Sequence, residues 1–286
     1  VLLLVPLGSE REAAAPRLTL ALVVLNVLAF LVTWNATIPA GTQEELERVA
    51  GWALRRAAEG QPGLLARVEA AASPLTFLER DPLWRDEVRP GELRDRLDAA
   101  LEDWRALRAR HPFFRHGLVP ARLSASGLLT HQFLHADLLH LGGNLLFLWV
   151  AGGLLERALG LLAFGLAYLG SGVGAALAHV LANPGSEEPA IGASGAISGL
   201  LGLLLVRHGS EPMRLALVAL AFAAPRVYLF TWPAWAFLLL WLGEQLFYAA
   251  FGPGVLGITF VAHLGGFGCG VLAGWLLARL SPPDAT

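Results

Sequence analysis

Four residues of this chain, Ser194, His263, His140 and Asn144, have types and spacings suited to acyl transfer. Ser194 lies in IGASGAISGLLG, residues 191–202, between Gly192 and Gly195, where a polar loop gives way to a long apolar run. A serine at the first turn of a hydrophobic helix exposes its hydroxyl, and its backbone N–H is one of the helix's unpaired first-turn donors. A nucleophile and half of an oxyanion site therefore coincide there. GASGA is also the kind of small-residue packing segment common in membrane helices, so the serine alone does not separate chemistry from packing. A base is supplied by His263, which opens HLGGFGCGVLAG, where Gly266, Gly270 and Gly274 repeat every four positions on one helix face. Gly195, Gly199 and Gly202 line the serine run in the same way. Glycine on both faces lets two backbones approach closely, which would set His263 beside Ser194. His140 and Asn144 are four apart and share a helix face. Both can donate to a developing oxyanion. Each site alone reads as interfacial polarity; three converging at one depth read as an active site.

The elements that must hold these residues are membrane spans. Of the 286 residues, 55% are hydrophobic and only 15% charged, too apolar for an ordinary soluble domain. A polytopic membrane protein is expected, and a formal charge of −2 gives no sign of a nucleic-acid partner. One cysteine, Cys269, sits in an apolar glycine-rich run, excluding an intramolecular disulfide and a cysteine-based zinc site. No removable signal peptide is read at the start of the sequence. Residues 1–16 are expected as an N-terminal tail at the membrane surface, and 17–39 hold the first transmembrane helix, long enough for a hydrocarbon core of roughly 30 Å. Further spans are read over residues 138–156, 161–181, 194–206, 234–250 and 261–280. Residues 213–230 are apolar but cut by Pro225 and Arg226, which favours an interfacial segment over a crossing. Residues 281–286 are a C-terminal tail.

Between the first two spans the composition changes. Residues 40–120 carry acids and arginines in near balance, and Leu93, Leu97, Leu101 and Trp104 recur at helical spacing between charges. This is an amphipathic helical insert, soluble or interfacial, followed by the start of a membrane-associated loop. The catalytic core is expected over residues 121–280, with five of the six spans. If the N-terminus is cytoplasmic, Arg11, Arg17, Arg157, Arg207, Arg214, Arg226 and Arg279 all fall inside, and outside the long insert only Arg122 falls opposite. N- and C-termini are then cytoplasmic, in a bacterial-type plasma membrane.

HADLLHLGGN, GASGAISGLLG and AHLGGFGCG, in this order on successive even-numbered spans, resemble the rhomboid intramembrane serine proteases. The resemblance runs from about Phe114 to Leu280, with weaker similarity in PLGSERE and the first span. It implies an all-α polytopic protein with a six-transmembrane-helix rhomboid-like bundle, and an endopeptidase that cuts membrane proteins in or next to their transmembrane segments. Ser194 would be the nucleophile and His263 the general base; His140, Asn144 and the Ser194 amide would form the oxyanion hole. His135 and THQFLH match the family's loop between the first two spans, and Glu156 and Arg157 its acid and arginine at the cytoplasmic end of the second. No cofactor or metal is implied; the partners are transmembrane substrates and the lipid bilayer. The sequence departs from the family at Ser198, where some members place an aromatic against the catalytic histidine, at Ser126 and Gly127, near where many carry a Trp-Arg pair, and in the insert.

The alternatives differ in class. A non-catalytic rhomboid-like protein that binds client helices need not keep Ser194, His263, His140 and Asn144 together. A proton-coupled transporter would be expected to show an inverted repeat, and none is apparent. A soluble nucleophile elbow would place glycine where Ala196 stands. His131 and His135, four apart, lack the glutamate of a zinc-protease helix. Glu244 is the acid read in the interior of a span, and the cost of a carboxylate facing lipid predicts that it turns toward protein or a water-filled cavity.

Overall fold

A computed structural model describes residues 2–8, 16–34, 40–71, 73–220, 225–251 and 260–280. The chain divides into two compact units, residues 35–115 and the remainder.

In the larger unit the first strand, β1 (Leu2–Gly8), precedes helix α1 (Arg17–Thr33). The N-terminus of α1 has no capping side chain of its own. Glu156, remote in sequence, supplies the cap: its carboxylate accepts from Leu18 N at 2.8 Å, Thr19 N at 2.7 Å and Thr19 Oγ1 at 2.8 Å. A carboxylate at helix-terminal amides forms charge-assisted bonds that also complement the helix dipole. The acid expected at the end of the second span therefore ties that span to the first.

The smaller unit contains α2 (Ala40–Ala57), α3 (Pro62–Ala70), α4 (Pro74–Arg80), α5 (Trp84–Glu87) and α6 (Glu92–Arg110). Leu54, Leu64, Leu75, Trp84, Leu97 and Leu101 make its core. Ser73 caps α4 by accepting from Thr76 N at 3.1 Å, with Pro74 at the first helical position. Trp84 Nε1 donates to the Leu78 carbonyl at 3.1 Å, so the indole is buried with its polar atom satisfied. Arg67 with Asp81, Arg85 with Asp98 and Arg108 with Glu79 lace the helices together. The apolar stripe of α6 faces this core, with Leu93 at its edge.

Two short helices, α7 (Pro112–His116) and α8 (Gly127–Thr130), lead toward the second span. That span is α9 (Leu138–Phe147), one π-helical turn (Leu148–Gly152) and α10 (Gly153–Leu159). Asp137 caps α9 by accepting from His140 N at 2.8 Å. Helices α11 (Leu161–Ala182), α12 (Ser194–His208), α13 (Ala234–Phe251) and α14 (Phe260–Leu280) complete the bundle. Among the described residues, three helical stretches are long and apolar enough to cross a membrane: Leu138–Leu159, Leu161–Ala182 and Phe260–Arg279. Helices α1 and α12 are apolar but shorter. Large apolar side chains such as Leu31, Leu162, Leu166 and Leu272 point outward from these helices, as a lipid-facing surface requires.

Helix α12 is the centre of the bundle. Every residue from Gly195 to Leu204 is buried. Its contact with α14 is backbone against backbone: a methyl group at Gly266 would fall on the Gly195 carbonyl, one at Gly270 on the Gly199 carbonyl, and one at Gly202 on the Phe267 carbonyl. These are the glycines whose spacing pointed to a close helix pair.

The expectation of an all-α protein is corrected by a three-stranded antiparallel sheet, β1-β2-β3, in which β2 is Pro212–Leu220 and β3 Pro225–Pro233. Strands β2 and β3 pair antiparallel where an interfacial segment was expected, and the N-terminal stretch expected as a tail supplies the third strand, Leu2 opposite Ala219. The prolines that break a helix are tolerated here because they fall at strand ends, Pro212 opposite Pro233 and Leu220 opposite Pro225. The first span, read to residue 39, is helical to Thr33; residues 35–39 and the C-terminal tail, 281–286, lie outside the described residues.

Candidate active site

Ser194 is the first residue of α12. The first amide to find a backbone acceptor in that helix is Ile197 N, bonded to the Ala193 carbonyl at 3.0 Å, so the Ser194 N–H lies in the unsatisfied first turn. Two residues earlier the chain turns at Gly192, where φ is +121°, a conformation that L side chains rarely adopt. A Cβ at Gly192 would stand 2.8 Å from His140 Nε2 and 3.7 Å from Ser194 Oγ. The space over Gly192 is therefore bordered by both the serine oxygen and a ring nitrogen.

His263 lies in the first turn of α14, and its Nε2 is 2.9 Å from Ser194 Oγ. The glycine seam fixes this distance, since α12 and α14 approach closely enough for one imidazole to reach a serine on the neighbouring helix. On its other side, His263 Nδ1 is 2.7 Å from Gln245 Oε1 on α13. Trp241, one turn earlier on α13, lies against the ring at 6.3 Å between centroids, and Phe260 meets it edge-on at 6.1 Å. Ser198, at the position where the resemblance places an aromatic in some members, donates to the Ser194 carbonyl at 2.6 Å.

Asn144 sits one turn below His140 on α9, as their spacing required, and is buried. One of its amide protons goes to the His140 carbonyl at 3.0 Å, leaving a second N–H for another acceptor. His135 packs edge-on against His140 with centroids 5.0 Å apart. His131 is held by the Gly127 carbonyl, which accepts from its Nδ1 at 2.8 Å, while its own backbone carbonyl accepts from Gly192 N at 2.9 Å. The loop before α9 and the loop before Ser194 are thereby tied together, as they are again by paired bonds between Leu118 and Ala190. Burial holds both loop imidazoles neutral, pushing His131 and His135 down to about 4. A cavity of about 20 Å³, lined by His131, His179, Gly192 and Ser194 among others, has room for one water molecule. Among the described residues no group of three or more His, Cys, Asp or Glu side chains is gathered closely enough to hold a metal ion.

Residues 122–280 match the rhomboid domain, more than half of the chain. The chain belongs to the rhomboid family. Among its relatives are the rhomboid protease GluP of Bacillus subtilis (strain 168), 44% identical over 78 residues, which are 27% of this chain and 15% of that protein. Rhomboid protein 1, mitochondrial, of Saccharomyces cerevisiae is 29% identical over 184 residues, 62% of this chain and 47% of that protein. RHOMBOID-like protein 5 of Arabidopsis thaliana is 37% identical over 93 residues, 31% of this chain and 30% of that protein. The chain thus spans less than half the length of each of these curated relatives. As a rhomboid it is an integral membrane protein, and the matched region starts after the insert.

Glu244 does not turn toward protein, the orientation that the cost of a lipid-facing carboxylate predicts. It is exposed on α13, on the apolar outer surface, with no polar partner among the described residues. The neighbouring Gln245, 6% exposed, turns inward instead. One residue along a helix is a rotation of about 100°, and the amide, which carries no charge to desolvate, takes the inner position. Gln245 and Trp241 are the site residues that sequence reasoning passed over. Their available signal was a polar residue four positions after an aromatic within an apolar helix.

Proposed function

We propose that this rhomboid is an intramembrane serine endopeptidase that hydrolyses peptide bonds in or next to transmembrane segments of membrane proteins. The observation that carries this reading is the 2.9 Å approach of Ser194 Oγ to His263 Nε2, at a helix N-terminus and between spans. A hydroxyl in reach of an imidazole nitrogen lacking its proton is an activated nucleophile. Ser194 Oγ attacks the scissile carbonyl while His263 Nε2 takes its proton; the carbonyl oxygen gains negative charge in the space bordered by His140, with Asn144 and the Ser194 amide as further donors. His263 then protonates the leaving amine, and water repeats the sequence to release the acyl group. Dispersed electrophilic donors and one base suffice, with no cofactor in any step.

The six-span arrangement belongs to this proposal: α1, the α9–α10 span, α11, α12, α13 and α14 cross the bilayer, with both termini cytoplasmic because the arginines near span ends gather on that side. Substrates with helix-disfavouring residues near the cleavage point are favoured, since an intact helix hides its carbonyls in i to i−4 bonds. The test is incubation of the purified protein with a generic transmembrane substrate beside Ser194→Ala. Cleavage by the wild type alone is expected; equal turnover by Ser194→Ala would falsify the assignment of Ser194 as nucleophile, and no cleavage by either protein would favour a non-catalytic binder of client helices.

A further inference from the structure

We infer that Gln245 is a positioning residue for His263, fixing from α13 the ring orientation and tautomer that the Ser194 reaction needs; this rests on the protease reading above. The imidazole has two nitrogens and, when neutral, one proton. A general base must present a bare Nε2 to the serine hydroxyl, so the proton must reside on Nδ1. The atom 2.7 Å from Nδ1 is the side-chain oxygen of Gln245, which can accept but cannot donate. That oxygen selects the Nδ1–H tautomer, and the selection is what points the Nε2 lone pair at Ser194 Oγ, 2.9 Å away. In a three-membered triad a carboxylate fills this role. Here the same acceptor is neutral, which avoids burying a second charge at this depth.

Geometry supplies the rest of the support. Trp241 and Gln245 are four residues apart, hence on one face of α13. His263 and Phe267 are likewise four apart on α14, and Trp241 packs against both, at 6.3 Å and 5.9 Å between centroids. The α13 face thus grips two successive turns of α14 with an aromatic and fixes the ring nitrogen with an amide. Ser198, in the position from which an aromatic would hold the histidine from α12, is bonded to its own helix backbone instead. Support for His263 therefore comes from α13. Glu244, the adjacent acid, faces outward and cannot substitute.

The test compares Gln245→Met, nearly the same size but without an acceptor oxygen, with Gln245→Glu, whose carboxyl can accept from Nδ1–H. Two readouts are taken: steady-state cleavage of a transmembrane substrate, and the rate at which a fluorophosphonate labels Ser194. Gln245→Met is expected to lower kcat and the labelling rate on the order of 10- to 100-fold, the range seen when the outer partner of a metal-bound imidazole is lost. KM should be unchanged, and Gln245→Glu should restore most of the rate. Should Gln245→Met lose its fold, Gln245→Asn, which keeps the amide and shortens its reach, serves in its place. Wild-type rates in a folded Gln245→Met or Gln245→Asn protein, or a loss confined to KM, would overturn the positioning role while leaving the protease reading intact. A wild type that neither cleaves nor labels would remove both.

Discussion

The glycine seam between α12 and α14 and the helical insert of residues 35–115 solve the problem of holding helices together in opposite ways. In the seam, side chains are absent where the backbones meet: Gly199 and Gly270, and Gly195 and Gly266, face each other across carbonyl groups. Precision comes from the lack of anything to rearrange. In the insert, large side chains fill the space, with Trp84 wholly buried among leucines, and arginine–carboxylate pairs run around the rim. The first is suited to surroundings where burial of apolar area gives no advantage over lipid contact, so that close backbone approach supplies the attraction. The second is the ordinary solution in water, where apolar burial is the main driving force. The difference teaches where chemistry can be built: Ser194 and His263 stand at one end of the seam, where a displacement of an ångström cannot be absorbed.

In this comparison, the largest expected effect on cleavage breaks the seam. Gly270→Ala drives a methyl group into the Gly199 carbonyl, and the helices must separate at a cost of about 1–3 kcal/mol in overpacking. Because misplacing a catalytic group by about 1 Å can cost roughly 10²-fold in rate, cleavage should fall by about that factor, more than the stability loss implies. In the insert the counterpart is Trp84→Ala, which should destabilise residues 35–115 by about 3–5 kcal/mol. Hydrogen exchange on α2 and α6 would report it. A smaller effect separates the two regions by pH. His131 and His135, in the loop before α9, have folded values near 4, below the ordinary imidazole value of about 6.5. The unfolded chain therefore binds more protons than the folded one in that window. The bundle should be fully stable in this respect above about 6.5, lose stability as pH falls toward about 4, and level off below it. Replacing both residues with Asn should flatten this dependence in thermal unfolding curves. The smallest effect lies on the insert surface: Arg56 and Glu59, 2.7 Å apart but each more than half exposed, should contribute under about 0.5 kcal/mol, so Arg56→Ala leaves the insert's unfolding transition nearly unmoved.

The site was largely legible in the sequence because its determinants are local and periodic. Glycines at spacings of three and four pointed to a seam, and His140 and Asn144 one turn apart shared a face. The structure places Ser194 and His263 at hydrogen-bond distance as that seam implied. What was not legible depended on distant partners or on rotational phase. The strand Leu2–Gly8 is a short apolar run without alternation, and its partner lies more than 200 residues away; nothing local distinguishes it from a membrane-surface tail. The pairing of β2 with β3 was not legible because Pro225 has the signature of a helix breaker although it marks a strand end. Glu244 drew attention through its charge, although the adjacent neutral amide is the residue that faces the histidine. The cap that Glu156 provides to α1 joins elements 137 residues apart, and no periodicity announces it.

The central claim is that Ser194 is a nucleophile activated by His263. It is tested most directly by treating the purified protein with a fluorophosphonate and locating the adduct by mass spectrometry, with His263→Ala in parallel. The account predicts a covalent adduct on Ser194 in the wild type and its loss in folded His263→Ala. An unmodified Ser194 in the wild type, or equal labelling of Ser194 without the imidazole, would contradict it.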